Sequence, residues 1–195
     1  MIKVILVGDI GSGKTYVSKL FRVPCFSADK EVKKTYKSNR ECFNILKKRF
    51  PKFIKTFPIQ KSELSKIIKK KISNLRKIGF IVHPFVRRKM KTFLIKNKEK
   101  KFVVLDIPLY LENKMNKKDD IIIFLKTKKK DVYRNLKKRK NFNKKILNIL
   151  RKSQLSLAEK KSKSNYVLLN NYNSIIMKNK IKILKNKIID DRSGS

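Results

Sequence analysis

A glycine-rich segment near the start of the chain limits the possible folds more than any other feature. Residues 8–15 read Gly-Asp-Ile-Gly-Ser-Gly-Lys-Thr and satisfy the pattern GxxxxGK followed by Ser or Thr. They directly follow an apolar run, Ile2–Val7, and precede a helix-like run, Tyr16–Phe21. Three of the five glycines in the chain lie here. This order predicts a strand, a phosphate-binding loop and a helix rather than a simple glycine-rich turn.

The residues of this loop have distinct expected roles in binding a nucleotide. Glycines let the backbone curl so that successive N–H groups face phosphate oxygens, and the following helix adds the positive end of its dipole. We expect Lys14 to reach the β and γ phosphates and Thr15 to bind Mg²⁺. The nucleotide-binding residues that the motif predicts are Gly8, Gly11, Ser12, Gly13, Lys14 and Thr15. The motif indicates nucleotide binding but does not identify the reaction.

Apolar runs recur along the chain and alternate with Lys-rich stretches that have helical spacing. Four runs and a fifth, weaker one predict buried strands: Ile2–Val7, Phe102–Leu105, Ile121–Leu125, Tyr166–Leu169 and Val23–Phe26. One helical stretch carries Leu64, Ile67, Ile68, Ile72 and Leu75. Strands that alternate with helices predict an α/β protein whose parallel sheet is covered by helices on both faces.

Two of the few acidic residues follow predicted strands. Asp29 comes after the weak strand near residue 26, and Asp106 ends the strand Phe102–Leu105. The carboxyl ends of parallel strands are where α/β sheets bind ligands. A carboxylate there could accept a proton from a hydroxyl group or hold the water shell of Mg²⁺. Either residue could instead be a helix cap or a loop acid.

The chain is strongly basic, because 54 Lys and Arg residues stand against 14 Asp and Glu residues among 195, a formal charge of +40. Such a charge is typical of proteins that bind polyanions. The lysines are spread along the chain, however, and neither form a tail nor alternate with aromatic residues. We therefore interpret them as a solvated surface and expect no specific nucleic-acid partner.

The cysteines and the N-terminal segment favour a cytoplasmic protein. Cys25 and Cys42 are the only cysteines and form no CxxC pair. The run Ile2–Val7 is too short for a signal peptide or a membrane helix. We expect a reduced, cytoplasmic protein without membrane association.

Further motifs follow the loop in a recognisable order. They are Ser27-Ala28-Asp29-Lys30, His83-Pro84-Phe85-Val86-Arg87, the segment Asp-Ile-Pro-Leu-Tyr-Leu-Glu at 106–112, and then Arg134, Arg139, Gln154, Lys160 and Asn165–Asn170. Together with the loop they span nearly residues 1–170 and resemble the dephospho-coenzyme A kinases. The resemblance implies ATP-dependent phosphorylation of the ribose 3′-hydroxyl of dephospho-coenzyme A (dephospho-CoA), the last step of coenzyme A synthesis. ATP and dephospho-CoA would be the partners, with Mg²⁺ bound to ATP.

The resemblance also implies a fold and a division of the chain. The fold is that of P-loop NTPases of the nucleoside monophosphate kinase type, a three-layer parallel sheet with a helical insert and a lid. One kinase domain over 1–190 would have a core of 1–29, 80–126 and 155–190, an acceptor-binding insert of about 30–79 and a lid of about 127–154. Residues 191–195 depart from the preceding Lys/Ile pattern, so we expect a disordered tail or an expression remnant there. We expect a monomer or a weak homo-oligomer.

By position, the resemblance implies roles on the acceptor side. Asp29 would be the general base, and the predicted catalytic residues are Asp29, Lys14 and Arg139. The acceptor would be bound by Asp29, His83, Arg87 and Asp106. Mg²⁺ would be held by Thr15 and, through water, Asp106, while Glu112 would organise the metal side and the sheet edge. His83 could instead be a satisfied residue at a turn before Pro84.

The remaining implied residues lie on the nucleotide side. Arg134 and Arg139 would close over the phosphates and stabilise charge on the transferred group. Asn170 would bind ATP near the adenine edge. The alternatives are a solvated helix face for the arginines and a turn residue for Asn170. The chain departs from the family pattern at Thr15–Tyr16, where Ser-Thr is usual, so the backbone N–H of Tyr16 would bind the α-phosphate of ATP. It also departs at Ser27, at Leu150, where an arginine is usual, and at Ser164–Asn165.

Two other functions remain open at the level of sequence. One is a P-loop kinase that acts on a nucleoside monophosphate or another small alcohol, since fold does not fix function. The other is a basic nucleic-acid-binding protein that uses nucleotide binding as a switch. Testing a panel of acceptors would distinguish the first function from phosphorylation of dephospho-CoA. Nucleotide turnover that is stimulated by nucleic acid would indicate the second function.

Overall fold

The computed structural model describes residues 1–138, 144–152 and 154–193. The chain forms two compact units. The first comprises Met1–Phe26 and the residues from Glu99 onward, and the second comprises Ser27–Lys98. Each unit is built from its own set of helices, and the sheet belongs to the first.

The elements follow one another in the order expected of an α/β protein. They are β1 (Ile2–Gly8), α1 (Lys14–Leu20), β2 (Cys25–Ser27), α2 (Ala28–Ser38), α3 (Arg40–Arg49), α4 (Lys61–Lys70), α5 (Asn74–Lys96), β3 (Phe102–Asp106), β4 (Asp120–Thr127), α6 (Lys129–Lys137), α7 (Lys144–Lys152), α8 (Leu157–Ser162), β5 (Tyr166–Asn170) and α9 (Ser174–Ser193). All five predicted strands are present, including the weak one.

The five strands form one sheet in the order β2-β3-β1-β4-β5. Strand β1 pairs in parallel with β3 and with β4, and β4 pairs in parallel with β5. Strand β1 is apolar except for Lys3, and most of its residues are buried because it lies between β3 and β4 in the middle of the sheet. The predicted α/β class is therefore confirmed. Because β1 is the central strand, the loop that leaves its carboxyl end begins in the middle of the sheet edge.

One face of the sheet packs against α1 and α9 in the main hydrophobic cluster. Helix α9 contributes Met177, Ile181, Leu184 and Ile188, which recur at helical spacing and form one buried stripe. Burying each such side chain stabilises the fold by roughly 1.5–3 kcal/mol. This packing fixes the strand from which the glycine-rich loop leaves.

A smaller cluster lies around the loop itself. It contains Val132 and Leu136 of α6 and Leu147 of α7, with Ile10 of the loop packed against them. Both helices belong to the segment 127–154 that the sequence predicts as a lid. No helix in the ranges that the structure describes is long and apolar enough to cross a membrane.

In the second unit, α5 packs against α2, α3 and α4. The predicted helical stretch from Leu64 to Leu75 is divided between two helices, because α4 ends at Lys70 and α5 begins at Asn74. Asn74 Nδ2 donates to the carbonyl of Ile67, in the last turn of α4. Helix α5 then runs unbroken to Lys96. Residues 80–98, which the sequence analysis placed in the core, thus belong to this unit, and the predicted insert 30–79 is the earlier part of it.

His83 and Pro84 lie inside α5, so the alternative of a turn before Pro84 is wrong. Proline removes one helical hydrogen bond and usually ends a helix. Here Val82, two residues before it, and Phe85, directly after it, are buried. Their packing against the neighbouring helices maintains α5 through the proline, since tertiary burial contributes more to helix stability than propensity does.

Candidate active site

The backbone of the glycine-rich loop has a shape that side chains would disturb. Gly11 and Gly13 have φ angles of 87° and 90°, in the left-handed region. A Cβ atom at Gly13 would lie 2.7 Å from Asn170 Nδ2 and 2.9 Å from Tyr172 Cε1. One at Gly11 would lie 2.7 Å from Leu136 Cγ. Both positions therefore require glycine for backbone geometry and for space.

The carbonyl groups of the loop are held by side chains at the ends of neighbouring strands. Asn170 Nδ2 donates to the carbonyl oxygen of Ser12 at 2.8 Å, and Thr127 Oγ1 donates to the same oxygen at 3.1 Å. Tyr172 Oη donates to the carbonyl of Gly11 at 2.6 Å. Because a trans peptide directs its carbonyl and N–H to opposite sides, fixing the Ser12 carbonyl turns the Gly13 N–H the other way. Strands β4 and β5 thus help to shape an anion cradle.

Two further features of the loop suit a phosphate group. Lys14 Nζ donates to the carbonyls of Asp9 at 2.8 Å and Gly8 at 3.2 Å, which places its charge at the loop. Ser12 Oγ is buried without a hydrogen-bond partner among the residues that the structure describes. Burying an unsatisfied hydroxyl is unfavourable. A bound anion would supply the missing acceptor, so the residues fit a nucleotide phosphate.

Thr15 and Asp106 meet at the carboxyl ends of adjacent strands. Thr15 Oγ1 donates to Asp106 Oδ2 at 2.9 Å. Asp106 ends β3 beside β1, because Ile5 lies opposite Leu105, and Thr15 lies in the first turn of α1, which follows the loop that leaves β1. A hydroxyl and a carboxylate are ligands that suit Mg²⁺, which retains waters and takes only one or two protein oxygens beside phosphates. Among the described residues, no cluster of three or more His, Cys, Asp or Glu side chains forms a closed metal cage.

Asn170 lies beneath the loop. It is 1% exposed, its amide donates to Ser12, and its Oδ1 accepts the N–H of Tyr172 at 2.9 Å. These contacts give it a supporting position under the phosphate cradle, and its contact with a nucleotide stays a prediction. Tyr172 was missed by the sequence analysis. Its ring centroid lies 6.0 Å from that of Tyr16, and only its place just after the last strand could have suggested it.

Of the two arginines predicted for the lid, the structure describes Arg134. Arg134 is exposed on α6, and its Nη2 donates to Asp131 Oδ1 at 2.6 Å, one turn away. This is the solvated arrangement of an i,i+3 pair. Arg139 lies outside the described residues. A contact of either arginine with phosphate stays a prediction.

Another arginine on the lid, Arg151 of α7, contacts the loop directly. Its Nε and Nη2 donate to Asp9 Oδ1 at 3.1 Å and Asp9 Oδ2 at 2.5 Å. Neither residue has a role that is predicted from the sequence. Arg151 follows Leu150, the position at which the family pattern has an arginine, and that shift by one residue was the available signal.

Glu112, Gln154 and Lys160, which the resemblance grouped only by order, are neighbours in space. Lys160 is 4% exposed, and its Nζ lies 2.9 Å from Glu112 Oε1 and donates to Gln154 Oε1 at 2.6 Å. The N–H of Leu155 also donates to Glu112 Oε1, at 3.2 Å. This buried cluster joins the segment after β3 to the end of the lid.

Three residues predicted to bind the acceptor lie in the second unit. Asp29 is exposed in the first turn of α2, where a carboxylate is favourable near the helix N-terminus. His83 and Arg87 are exposed and one turn apart on α5. Partial burial and the charge of Arg87 lower the pKa of His83. His83 is therefore neutral near pH 7 and can accept a hydrogen bond.

Comparison of the sequence with known proteins identifies the family. A family model described as dephospho-CoA kinase matches residues 2–175. Dephospho-CoA kinase of Wolbachia pipientis wMel is 32% identical over 168 residues, covering 84% of this chain and 86% of that relative. Dephospho-CoA kinase of Bartonella henselae is 30% identical over 168 residues, with the same shares covered.

Solved structures show the same fold at lower identity. A protein of Thermus thermophilus superposes with a TM-score of 0.77 at 22% identity, covering 97% of each chain. Dephospho-CoA kinase of Campylobacter jejuni superposes with a TM-score of 0.66 at 20% identity, covering 95% of this chain and 96% of that one. At these identities the likeness shows a shared P-loop kinase fold.

Proposed function

Because the chain belongs to the dephospho-CoA kinase family, we propose that it transfers the γ-phosphoryl group of ATP to the ribose 3′-hydroxyl of dephospho-CoA. The match of the family model over residues 2–175 carries this proposal, since it covers loop, second unit and lid together. The products are coenzyme A and ADP. The reaction needs positioning and charge stabilisation more than covalent chemistry by the protein.

The nucleotide side of the reaction follows from the loop. The N–H groups between Gly8 and Tyr16 bind the phosphates, and Lys14 moves from the loop carbonyls to the β and γ phosphates when ATP enters. The contacts of Asn170, Thr127 and Tyr172 with the loop carbonyls support this role, because they hold the cradle in shape before binding. A preformed cradle avoids reorganisation at the moment of transfer.

The metal fits the pair Thr15 and Asp106. These residues would hold Mg²⁺ bound to ATP, Asp106 through water, and the ion when bound neutralises charge on the phosphates. The 2.9 Å contact between the two side chains supports the assignment, because it brings both oxygens to one place.

On the acceptor side, Asp29 is the general base and accepts the proton of the 3′-hydroxyl. That oxygen forms a bond to the γ-phosphorus as the bond from this phosphorus to the β,γ-bridging oxygen breaks, and ADP leaves with that electron pair. Asp106 is the alternative base. His83 and Arg87 bind the acceptor, Arg87 as a permanent cation beside an anionic substrate.

The lid contributes cations to the transferred group. Arg134 and Arg139 stabilise the charge that spreads over the equatorial oxygens, and closure of the lid excludes water. The amphipathic packing of α6 and α7 around Ile10 supports a lid that bears on the loop.

The proposal extends to the setting in which the enzyme acts. It is a cytoplasmic monomer or weak homo-oligomer with no specific nucleic-acid partner, and among the described residues neither Cys25 nor Cys42 forms a disulfide, which agrees with a reduced compartment. Sedimentation over a range of protein concentrations would test the oligomeric state.

The test is an acceptor panel. We would incubate the protein with ATP, Mg²⁺ and either dephospho-CoA or nucleoside monophosphates, and identify the products by mass spectrometry. The proposal predicts coenzyme A from dephospho-CoA and loss of that product in Lys14→Ala and Asp29→Asn. Phosphorylation of a nucleoside monophosphate in place of dephospho-CoA would overturn the acceptor assignment, and retention of activity in Asp29→Asn would shift the base to Asp106.

A further inference from the structure

The phosphate loop carries a carboxylate of its own. Asp9 is the one acidic residue between Gly8 and Thr15. A carboxylate beside a site for a polyanion raises the energy of the bound state unless its charge is balanced. Its partner is Arg151, whose guanidinium makes a two-point contact with both carboxylate oxygens.

The geometry of this pair is that of a strong charge-assisted contact. The two donors of Arg151, Nε and Nη2, match the two oxygens of Asp9, which is the fork arrangement that only arginine can make. The Asp9 side chain is 18% exposed and Arg151 is 43% exposed. Asp9 Oδ1 also accepts the N–H of Ile10 at 2.7 Å, which fixes the carboxylate relative to the loop backbone.

An apolar cluster, independent of this ion pair, joins the lid helices α6 and α7 to the same loop. Leu147 of α7 is buried in the cluster with Val132 and Leu136, and Ile10 of the loop packs against this cluster. The neighbouring Gly11 approaches Leu136 so closely that a Cβ atom would lie 2.7 Å from its Cγ. Helix α7 therefore shares an apolar cluster with Ile10 of the loop and makes an ionic contact with Asp9.

We propose that Asp9 and Arg151 form a latch that docks α7 on the phosphate loop and balances the loop's own carboxylate, so that the loop meets the triphosphate without an opposing charge. Arg151 acts here through Asp9 and is a positioning residue. The proposal rests on the proposed function only in that the loop binds ATP, and it needs no particular acceptor.

The latch predicts a specific rescue. Arg151→Gln leaves Asp9 unbalanced and should weaken ATP binding by about tenfold, the size of one close charge interaction. Asp9→Asn in the same chain removes the unbalanced charge, so the double variant should bind ATP several-fold more tightly than Arg151→Gln alone. Lys152→Gln is the matched control, since it removes one positive charge from the same turn of α7 and should leave the affinity unchanged.

The experiment measures ATP affinity by calorimetry without any acceptor, and the hydrogen exchange of α7 amides without nucleotide. The latch predicts the rescue, and faster exchange in α7 for Asp9→Asn and for Arg151→Gln but not for Lys152→Gln. If the double variant binds as weakly as Arg151→Gln, Arg151 contacts ATP itself and the latch is wrong. If Arg151→Gln matches Lys152→Gln in both measurements, the pair has no role.

Failure of the latch and failure of the proposed function are distinguishable. ATP that binds with the predicted pattern while no coenzyme A forms would overturn the acceptor assignment and leave the latch intact. Coenzyme A formation with no difference among the variants would overturn the latch alone.

Discussion

At the scale of single residues, Gly13 is a position at which the site tolerates little change. Its φ of 90° disfavours any side chain, and a Cβ atom would press on Asn170 and Tyr172, which hold the loop carbonyls. Replacement by alanine therefore disturbs both the loop backbone and the two side chains that support it.

We expect Gly13→Ala to weaken ATP binding by more than about tenfold and to cost roughly 1–3 kcal/mol of stability. Calorimetric titration with ATP and urea unfolding measure the two effects. Gly79→Ala is the control, because Gly79 lies in α5 without a positive φ. Wild-type affinity in Gly13→Ala would contradict the steric account of the loop.

Asp120, at the start of β4, is a residue whose contribution is to stability. It is 4% exposed, its Oδ1 lies 2.7 Å from Lys3 Nζ, and its Oδ2 accepts from Tyr110 Oη at 2.6 Å and the Lys117 N–H at 2.7 Å. Despite burial, which would raise it, the pKa of Asp120 is lowered by these donors. Burial and Asp120 together raise the pKa of Tyr110, which remains a neutral donor.

We expect Asp120→Asn to lower the free energy of unfolding by about 2 kcal/mol near pH 7 and Asp119→Asn, its exposed neighbour, to change it by less than about 0.5 kcal/mol. Because the folded pKa lies below the ordinary value of 3.8, the stabilisation is present above that value and is lost as the pH falls through the folded pKa. Urea unfolding of both variants from neutral to acid pH measures this. A difference between wild type and Asp120→Asn that persisted at the lowest pH would contradict it.

At the scale of elements, the end of the lid depends on one buried ion pair. The Lys160 and Glu112 side chains are 5% and 11% exposed, and Gln154 and the Leu155 N–H complete their hydrogen bonds. Removing one charge from such a pair leaves the other buried without compensation. The adjacent Lys161 is exposed and offers a direct comparison.

We expect Lys160→Met to destabilise the protein by about 3 kcal/mol and Lys161→Met to have an effect below about 0.5 kcal/mol. Thermal or urea unfolding of the two variants measures the difference. Equal stabilities would mean that the cluster around Glu112 does not anchor the lid.

The elements also show what sequence reasoning could and could not predict. The strands could be predicted because continuous apolar runs are typical of buried parallel strands. The sequence signal for β2 was weak because this strand has only three residues. The course of α5 through Pro84 could not be predicted from the sequence, because the burial of Val82 and Phe85, which maintains the helix, is a tertiary effect. In the site, the phosphate-binding loop could be predicted from its motif, and the roles of Thr15 and Asp106 from the motif and from the end of a strand. The contact between Asp9 and Arg151 could not, because these residues lie far apart in sequence and only the fold brings them together.

At the scale of the whole molecule, the charge of +40 is the dominant property. Both proposed substrates are polyanions, and a positive field raises the rate at which such substrates encounter their site. The same field is screened by salt, with a Debye length of about 10 Å at 0.1 M.

We expect kcat/KM for dephospho-CoA to fall steadily as NaCl rises from about 50 mM to about 300 mM, while kcat changes little, because steering acts on encounter rather than on the bound complex. Steady-state kinetics over this range measure both constants. A kcat/KM that stays flat would show that the charge is a solvated surface without a role in encounter.

The central claim is that phosphate moves from ATP to the 3′-hydroxyl of dephospho-CoA, and ³¹P NMR of the complete reaction with Mg²⁺ follows it directly. The account predicts a new phosphomonoester signal at the 3′ position of the acceptor and one ADP for each such group formed, with neither in Lys14→Ala. ATP hydrolysis to inorganic phosphate without a new monoester, or no consumption of ATP, would contradict it.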